Sequence, residues 1–377
     1  MGNAVVPNVW ALLDKPAVAA PGAPQGNSTT RRTTSFSRLT RGHPPESVWK
    51  EPMRACLSRV DVVVVSACVC MATLLLPAAV LTAREEARER TCAERLRRLG
   101  QALNGFAQAK GGFPPRRTGF NDGNPYGGWG GQVLPYLEGG KSGMAYDTRY
   151  DFFDPKNAAV VETQLPAFLC PASPAERVVQ IQSQASTKSM NADKETVFTS
   201  KAAAVDFIAS NGVLMTGNGY GINSLGRDRG IGNQRQPMTD NTVLPVSKVT
   251  DGLSQTLLLI EQAGRPAVWR KREEKIGEGQ FGMSPNARGA WAGWGSIAFG
   301  AANVETGETP GRGDGTDCSV NCNNWFGIYG FHEGGANVLF CDGRVQFVSE
   351  KLDPLTFAYL TMRDDGHVIS ADDVSAE

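Results

Sequence analysis

One feature constrains this chain more than any other: residues Val62 to Ala83, 22 in a row, carry no charge. As a helix rising about 1.5 Å per residue the run is ~33 Å long, enough to cross the ~30 Å hydrocarbon core of a bilayer. Buried helices of soluble domains are seldom charge-free over such a length, so the run predicts a membrane span. It is the only run of its kind among 377 residues, and a multi-span channel or transporter is not expected.

The flanks differ. Residues 1–52 hold seven prolines among many Ser, Thr and Arg, show no apolar period, and predict disorder. Met53 opens a short basic leader directly before the run and is an alternative start to Met1. Beyond the run, residues 84–110 place Cys92, Leu96, Leu99, Leu103 and Phe106 at spacings of 4, 3, 4 and 3, one stripe of a helix whose other face is Arg- and Glu-rich. Asp61 to Lys110 therefore reads as a single helix of about 75 Å. Pro77 should bend it, and Gly111-Gly112 should end it.

Residues 111–377 form the body. Turn signals such as Asn121-Asp122-Gly123, Asp251-Gly252 and Asp342-Gly343 alternate with short β-rich runs. The fold class expected is α+β, a long N-terminal helix followed by a mainly antiparallel β head. Ala336–Phe340 and Val345–Val348 read as two strands joined through Asp342-Gly343 in a type I′ turn. His332 precedes the first strand and is expected to bond a loop backbone or the Asp342 carboxylate, a structural part. Glu261, at the end of the apolar run Leu257–Ile260, is expected to be an exposed or hydrogen-bonded carboxylate.

Signatures of catalysis are missing. The 38 basic and 38 acidic side chains cancel, which removes the counterion-release route to nucleic acid. Three histidines leave no room for a multi-His metal site. Leu134–Ser142 mimics a phosphate loop but has Pro135 where the first glycine belongs. No Gly-x-Ser-x-Gly or His-Glu-x-x-His occurs. No catalytic residue, cofactor or metal is therefore assigned. Asp314, Asp317, Asn321 and Asn323 gather oxygen donors and are the one calcium candidate, though without EF-hand spacing. Of the eight cysteines, Cys318 and Cys322 are spaced to close a small loop, Cys341 reads as a buried thiol, and no paired C-x-x-C supports a four-thiolate zinc site.

Several segments together resemble a large group of bacterial prepilin-like proteins that carry domain of unknown function 1559. They are residues 74–103, Gly111–Pro115, Trp129–Glu138, Phe168–Pro174, Val249–Glu261, and His332 placed nine residues before Asp342-Gly343. The residues that carry the resemblance include Pro77, Cys92, Cys170, Asp251, Gly252, Glu261, His332, Asp342 and Gly343. The resemblance implies a pilin-like helix over residues 62–110 with a leader at 53–61, an exported head over 111–377, and no established enzymatic activity. It implies a single-pass protein of the cytoplasmic membrane, related to type II secretion pseudopilins, whose partners are lipid and copies of itself or other pilin-like subunits. An extracytoplasmic solute- or polysaccharide-binding protein is the alternative, with Trp129, Trp291, Trp294, Trp325 and Tyr329 as candidate lining. The processing site departs from the family pattern: Val60 stands in the glutamate's place and Asp61 beside it. Asp61 either replaces that glutamate, meeting the amine of a neighbouring chain, or caps the helix.

Overall fold

The structure, a computed structural model, describes residues 58–140, 145–191, 197–210, 212, 235–276, 289–295, 302–308, 318–325, 327–369 and 374, without the side chains at 72, 74–78 and 138–140. The chain divides into two compact units, Met1–Val63 and Val64–Glu377. In the first, Ser58 and Asp61 form a reciprocal cap. The Asp61 amide donates to Ser58 Oγ at 3.2 Å and the Ser58 amide donates to the Asp61 carboxylate at 2.8 Å. This satisfies two donors that a helix start leaves open, so capping is the role the structure gives Asp61.

Helix α1 (Arg59–Lys110) follows, and Gly111 at φ +79° lets the chain leave it. Among the described residues no helix is long and apolar enough to cross a membrane. Pro77 lies within α1, but its side chain is outside the described set. In the second unit, the stripe Cys92, Leu96, Leu99, Leu103 and Phe106 is buried, as its period requires.

The stripe covers a four-stranded antiparallel sheet. β1 (Val178–Gln184) and β2 (Val197–Ala203) make a separate hairpin-like pair in full register from Val178↔Ala203 to Gln184↔Val197. The main sheet contains β3 (Phe207–Ala209), β4 (Leu257–Glu261), β5 (Gly335–Phe340) and β6 (Val345–Ser349), in the order β6-β5-β4-β3. The inner strands β4 and β5 are buried along their whole length, which is why they read as continuous apolar runs rather than alternating ones. α1 comes so close to β5 that a Cβ on Gly100 would lie 2.8 Å from Leu339 Cδ1. α2 (Pro354–Thr361), capped by Asp353 through the Thr356 amide, closes the chain's core.

The β5–β6 turn corrects the type I′ expectation. Phe340 donates to Arg344 O and Gly343 donates to Phe340 O, and only Gly343, at φ +93°, has positive φ. The connection is thus a three-residue loop, Cys341-Asp342-Gly343, with a type I turn and a glycine bulge. Its carboxylate accepts from the Arg344 amide at 2.8 Å and does not meet His332. Cys341 is buried, as expected of it. The Asp342 amide donates to Leu253 O and the Cys341 amide to Thr256 O, so this turn docks on the one that begins at Asp251-Gly252. Gly252 adopts φ +104°, and Asp251 accepts from the Asp365 and Gly366 amides.

Arg116 and Arg117 both fork onto Asp240, at 2.6 and 2.8 Å, tying the segment after α1 to residues 236–245. Burial would raise the Asp240 pKa, but the hydrogen bonds from Arg116 and Arg117 outweigh it and hold the carboxyl below its ordinary value. A depressed acid contributes stability above its unfolded pKa of about 3.9 and loses it as pH falls through the folded value. Melting temperature measured from pH 6 down to pH 2 should fall less steeply in Asp240→Asn than in the wild type. At the turn, Gly343→Val should cost about 1–3 kcal/mol of head stability in urea titrations, because a β-branched residue is forced to positive φ.

Candidate metal centre

Four side chains singled out in the sequence meet at one point. Cys92 comes from α1, Cys170 from the loop after the short helix Pro166–Phe168, Glu261 from the end of β4, and His332 from the loop leading into β5. One donor atom from each lies within 4.8 Å of all the others. The Cys170 Sγ to His332 Nε2 distance is 3.1 Å, Cys92 Sγ donates to Glu261 Oε1 at 3.6 Å, and His332 Nε2 to Glu261 Oε1 is 3.7 Å. None of the four is more than 2% exposed.

Each is positioned by its own segment. Phe168 is fully buried between the rings of Trp129 and Trp291, and Arg95 of α1 donates to Leu169 O at 2.9 Å, which delivers Cys170. The Cys170 amide donates to Asp206, which also accepts from Ser173 Oγ, the Gly264 amide and both terminal nitrogens of Arg177. His332 follows Phe331, whose ring packs edge-on against Trp269 and Tyr329. Arg272 holds the His332 carbonyl at 2.6 Å. Gly330 leaves the space beside Glu261 that a Cβ would fill at 3.2 Å.

A second layer orients the first. His332 Nδ1 faces Glu85 Oε1 at 3.1 Å, which leaves Nε2 for the centre. Glu261 Oε2 accepts from the Asn337 amide at 2.9 Å, which turns Oε1 inward. Protonation follows from the crowding. Burial opposes ionisation of Cys170, but the hydrogen bonds from Cys92 and His332 prevail and hold its thiol down at about 6. Burial likewise disfavours the His332 cation, and the bonds to Cys170 and Glu85 more than offset it, raising its pKa. Burial, joined by Cys170, pushes Cys92 and Glu261 well above their ordinary values.

The other sequence candidates lie elsewhere. Asp61 caps α1, and Asp251, Gly252, Asp342 and Gly343 form the docked turns. Asp314 and Asp317 of the calcium candidate fall outside the described residues. The Asn321 amide bonds Gly335 O and the Gly330 amide, and the Asn323 amide bonds Gly307 O and the Trp325 amide, so both are engaged in holding their loop. Cys318 and Cys322 form a disulfide. Trp129, Trp291, Trp294 and Tyr329 are buried in the core and Trp325 is half-buried, so these aromatics do not line an open site. Sequence reasoning missed Glu85, Arg177 and Asp206. Asp206 carried a signal, an acid inside the apolar run Ala203–Ala209.

A family model described as "Protein of unknown function (DUF1559)" matches residues 82–355. No curated protein and no solved structure matches the chain.

Removing Asp206 leaves Arg177, 9% exposed in its side chain, without its partner. Asp206→Ala should therefore cost about 3–5 kcal/mol, the range for breaking a buried ion pair. Urea denaturation followed by tryptophan fluorescence measures it.

Proposed function

Since the chain belongs to the family of unknown function DUF1559, we propose a role from its own physical design: a single-pass membrane protein whose pilin-like helix holds a structural, non-catalytic head outside the cytoplasm. One observation carries the reading. Val64, Val65, Val69, Met71, Val80 and Leu81 are 45–65% exposed on a helix stretch with no charged residue. Apolar side chains on every turn of such a helix are costly in water and favourable in a bilayer. Further along the same helix, from Cys92, the apolar stripe is buried in the head instead.

Orientation is argued from two further observations. The Cys318–Cys322 disulfide suits an oxidising compartment. Six arginines follow the run, Arg84 to Arg98, against Lys50, Arg54 and Arg59 before it. Taken alone, that excess would keep the head inside. Arg88, Arg90, Arg97 and Arg98 are each paired with a glutamate one turn away on α1, and Arg95 is turned into the head. Acids count little in that rule, so the pilin-like plan, with the N-terminus inside, rests on the resemblance to prepilins and on the disulfide. In it the partners are lipid and further copies of the helix, in the manner of a pseudopilin. Solute capture is the weaker reading, because four of the five aromatics that would serve it, Trp129, Trp291, Trp294 and Tyr329, are buried.

The full chain should stay with membranes through carbonate extraction, and a chain of residues 84–377 should be released. A reporter fused after Glu377 should be active only outside the cytoplasm; activity only inside overturns the orientation. Cys68 and Cys70 are exposed and free, so mild oxidation should yield a disulfide-linked dimer of full-length chains. A persistently monomeric chain in membranes would count against the pilin-like role and for a binding protein.

A further inference from the structure

The donor set at the head's centre has the composition and the spacing of a metal site. In a tetrahedral zinc centre, bonds of about 2.3 Å to sulfur and about 2.0–2.2 Å to nitrogen and oxygen set neighbouring donors roughly 3.4–3.8 Å apart. The distances here are 3.6 Å for sulfur to oxygen, 3.1 Å for sulfur to nitrogen and 3.7 Å for nitrogen to oxygen. All four donors fall within 4.8 Å of one another, so small movements of the side chains would bring the edges into the range of a zinc tetrahedron. We propose that this chain binds one zinc ion through Cys92 Sγ, Cys170 Sγ, Glu261 Oε1 and His332 Nε2, and that the ion fastens α1 to the sheet.

Three lines of chemistry support zinc. Two sulfurs with an imidazole and a carboxylate suit a borderline-soft ion of tetrahedral habit, and they exclude calcium and magnesium, which take oxygen. The outer layer is the one metal ligands characteristically have. The Glu85 carboxylate holds the far nitrogen of His332, and a backbone amide holds the far oxygen of Glu261. Electrostatics point the same way. Two thiols, a carboxyl and an imidazole converge with no more than 2% exposure, and a cation bound among them would compensate the charge of the thiolates and carboxylate.

The burial also assigns the kind of site. Cys170, His332 and Glu85 are spaced like a nucleophile, its base and an orienting acid. Yet a nucleophile needs a path for substrate, and none of the four side chains is more than 2% exposed; two clefts among the described residues, one beside Tyr126 and Tyr150 and one beside Phe340 and Leu360, lie elsewhere. Four protein ligands this deeply buried describe a structural ion rather than a catalytic one. The ligands come from positions 92, 170, 261 and 332, so a single ion would cross-link α1 to three separate segments of the head.

The test uses the full chain purified in detergent without chelator. Elemental analysis should find about one zinc per chain. After removal of the ion and addition of cobalt(II), the wild type should show the ligand-field bands of tetrahedral cobalt and a thiolate-to-cobalt charge-transfer band. Cys170→Ser and His332→Ala should lose both signals. To separate ligand loss from unfolding, Glu85→Gln serves as a second variant: it leaves all four ligands in place and should weaken zinc binding about 10–100-fold, with circular dichroism unchanged. A wild-type chain that is folded but holds no zinc and gives no cobalt spectrum overturns the proposal. So does a Cys92–Cys170 disulfide found by mass spectrometry in the native protein.

Discussion

The head depends on one buried carboxylate. Asp206 is fully buried and accepts five hydrogen bonds, from Arg177 twice, Ser173, and the amides of Cys170 and Gly264. An unpaired acid there would be prohibitive, whereas a fully satisfied one becomes a rigid junction. Through it the loop carrying Cys170, the entry to β3 and the chain leaving β4 are fixed to one another, and the Asp206 backbone adds bonds to Phe168 and Gln262. The positions of Cys170 and Glu261 follow from this junction, and the four-residue cluster follows from them.

Much of this architecture was legible in the sequence, because the signals were periodic or steric. The stripe from Cys92 to Phe106 is buried because its spacing matches a helix turn, and β4 and β5 were visible as short apolar runs bounded by turn residues. The turn type was not legible. Asp-Gly suits both a two-residue and a three-residue loop, and the choice is made by the docking of Cys341 and Asp342 on Thr256 and Leu253.

The cluster was half legible. Cys92, Cys170, Glu261 and His332 each stood out, but for separate local reasons: a helix stripe, a Cys-Pro turn, a strand end and a loop before a hairpin. Metal motifs are recognised in sequence by ligands a few residues apart, and here the nearest two are 71 apart, Glu261 and His332. Only tertiary packing brings them together. Glu85 gave no signal, because one glutamate among the charged residues of Arg84–Glu94 looks like solvated surface.

Why a polar cluster should sit where α1 meets the sheet follows from the helix's own regularity. Spacings of 4, 3, 4 and 3 nearly repeat every seven residues, so an apolar stripe alone would pack almost as well after sliding by two turns. Two features remove that freedom. Gly100 is where α1 touches Leu339, and a side chain shifted into its place would meet Leu339 Cδ1 at 2.8 Å. Glu85 and Cys92, two turns apart on one face, must reach His332 and Glu261. Directional bonds thus fix a register that apolar burial leaves nearly degenerate. The cost of burying them is the cost of specifying one arrangement of helix and head, the use for which buried polar groups are best attested.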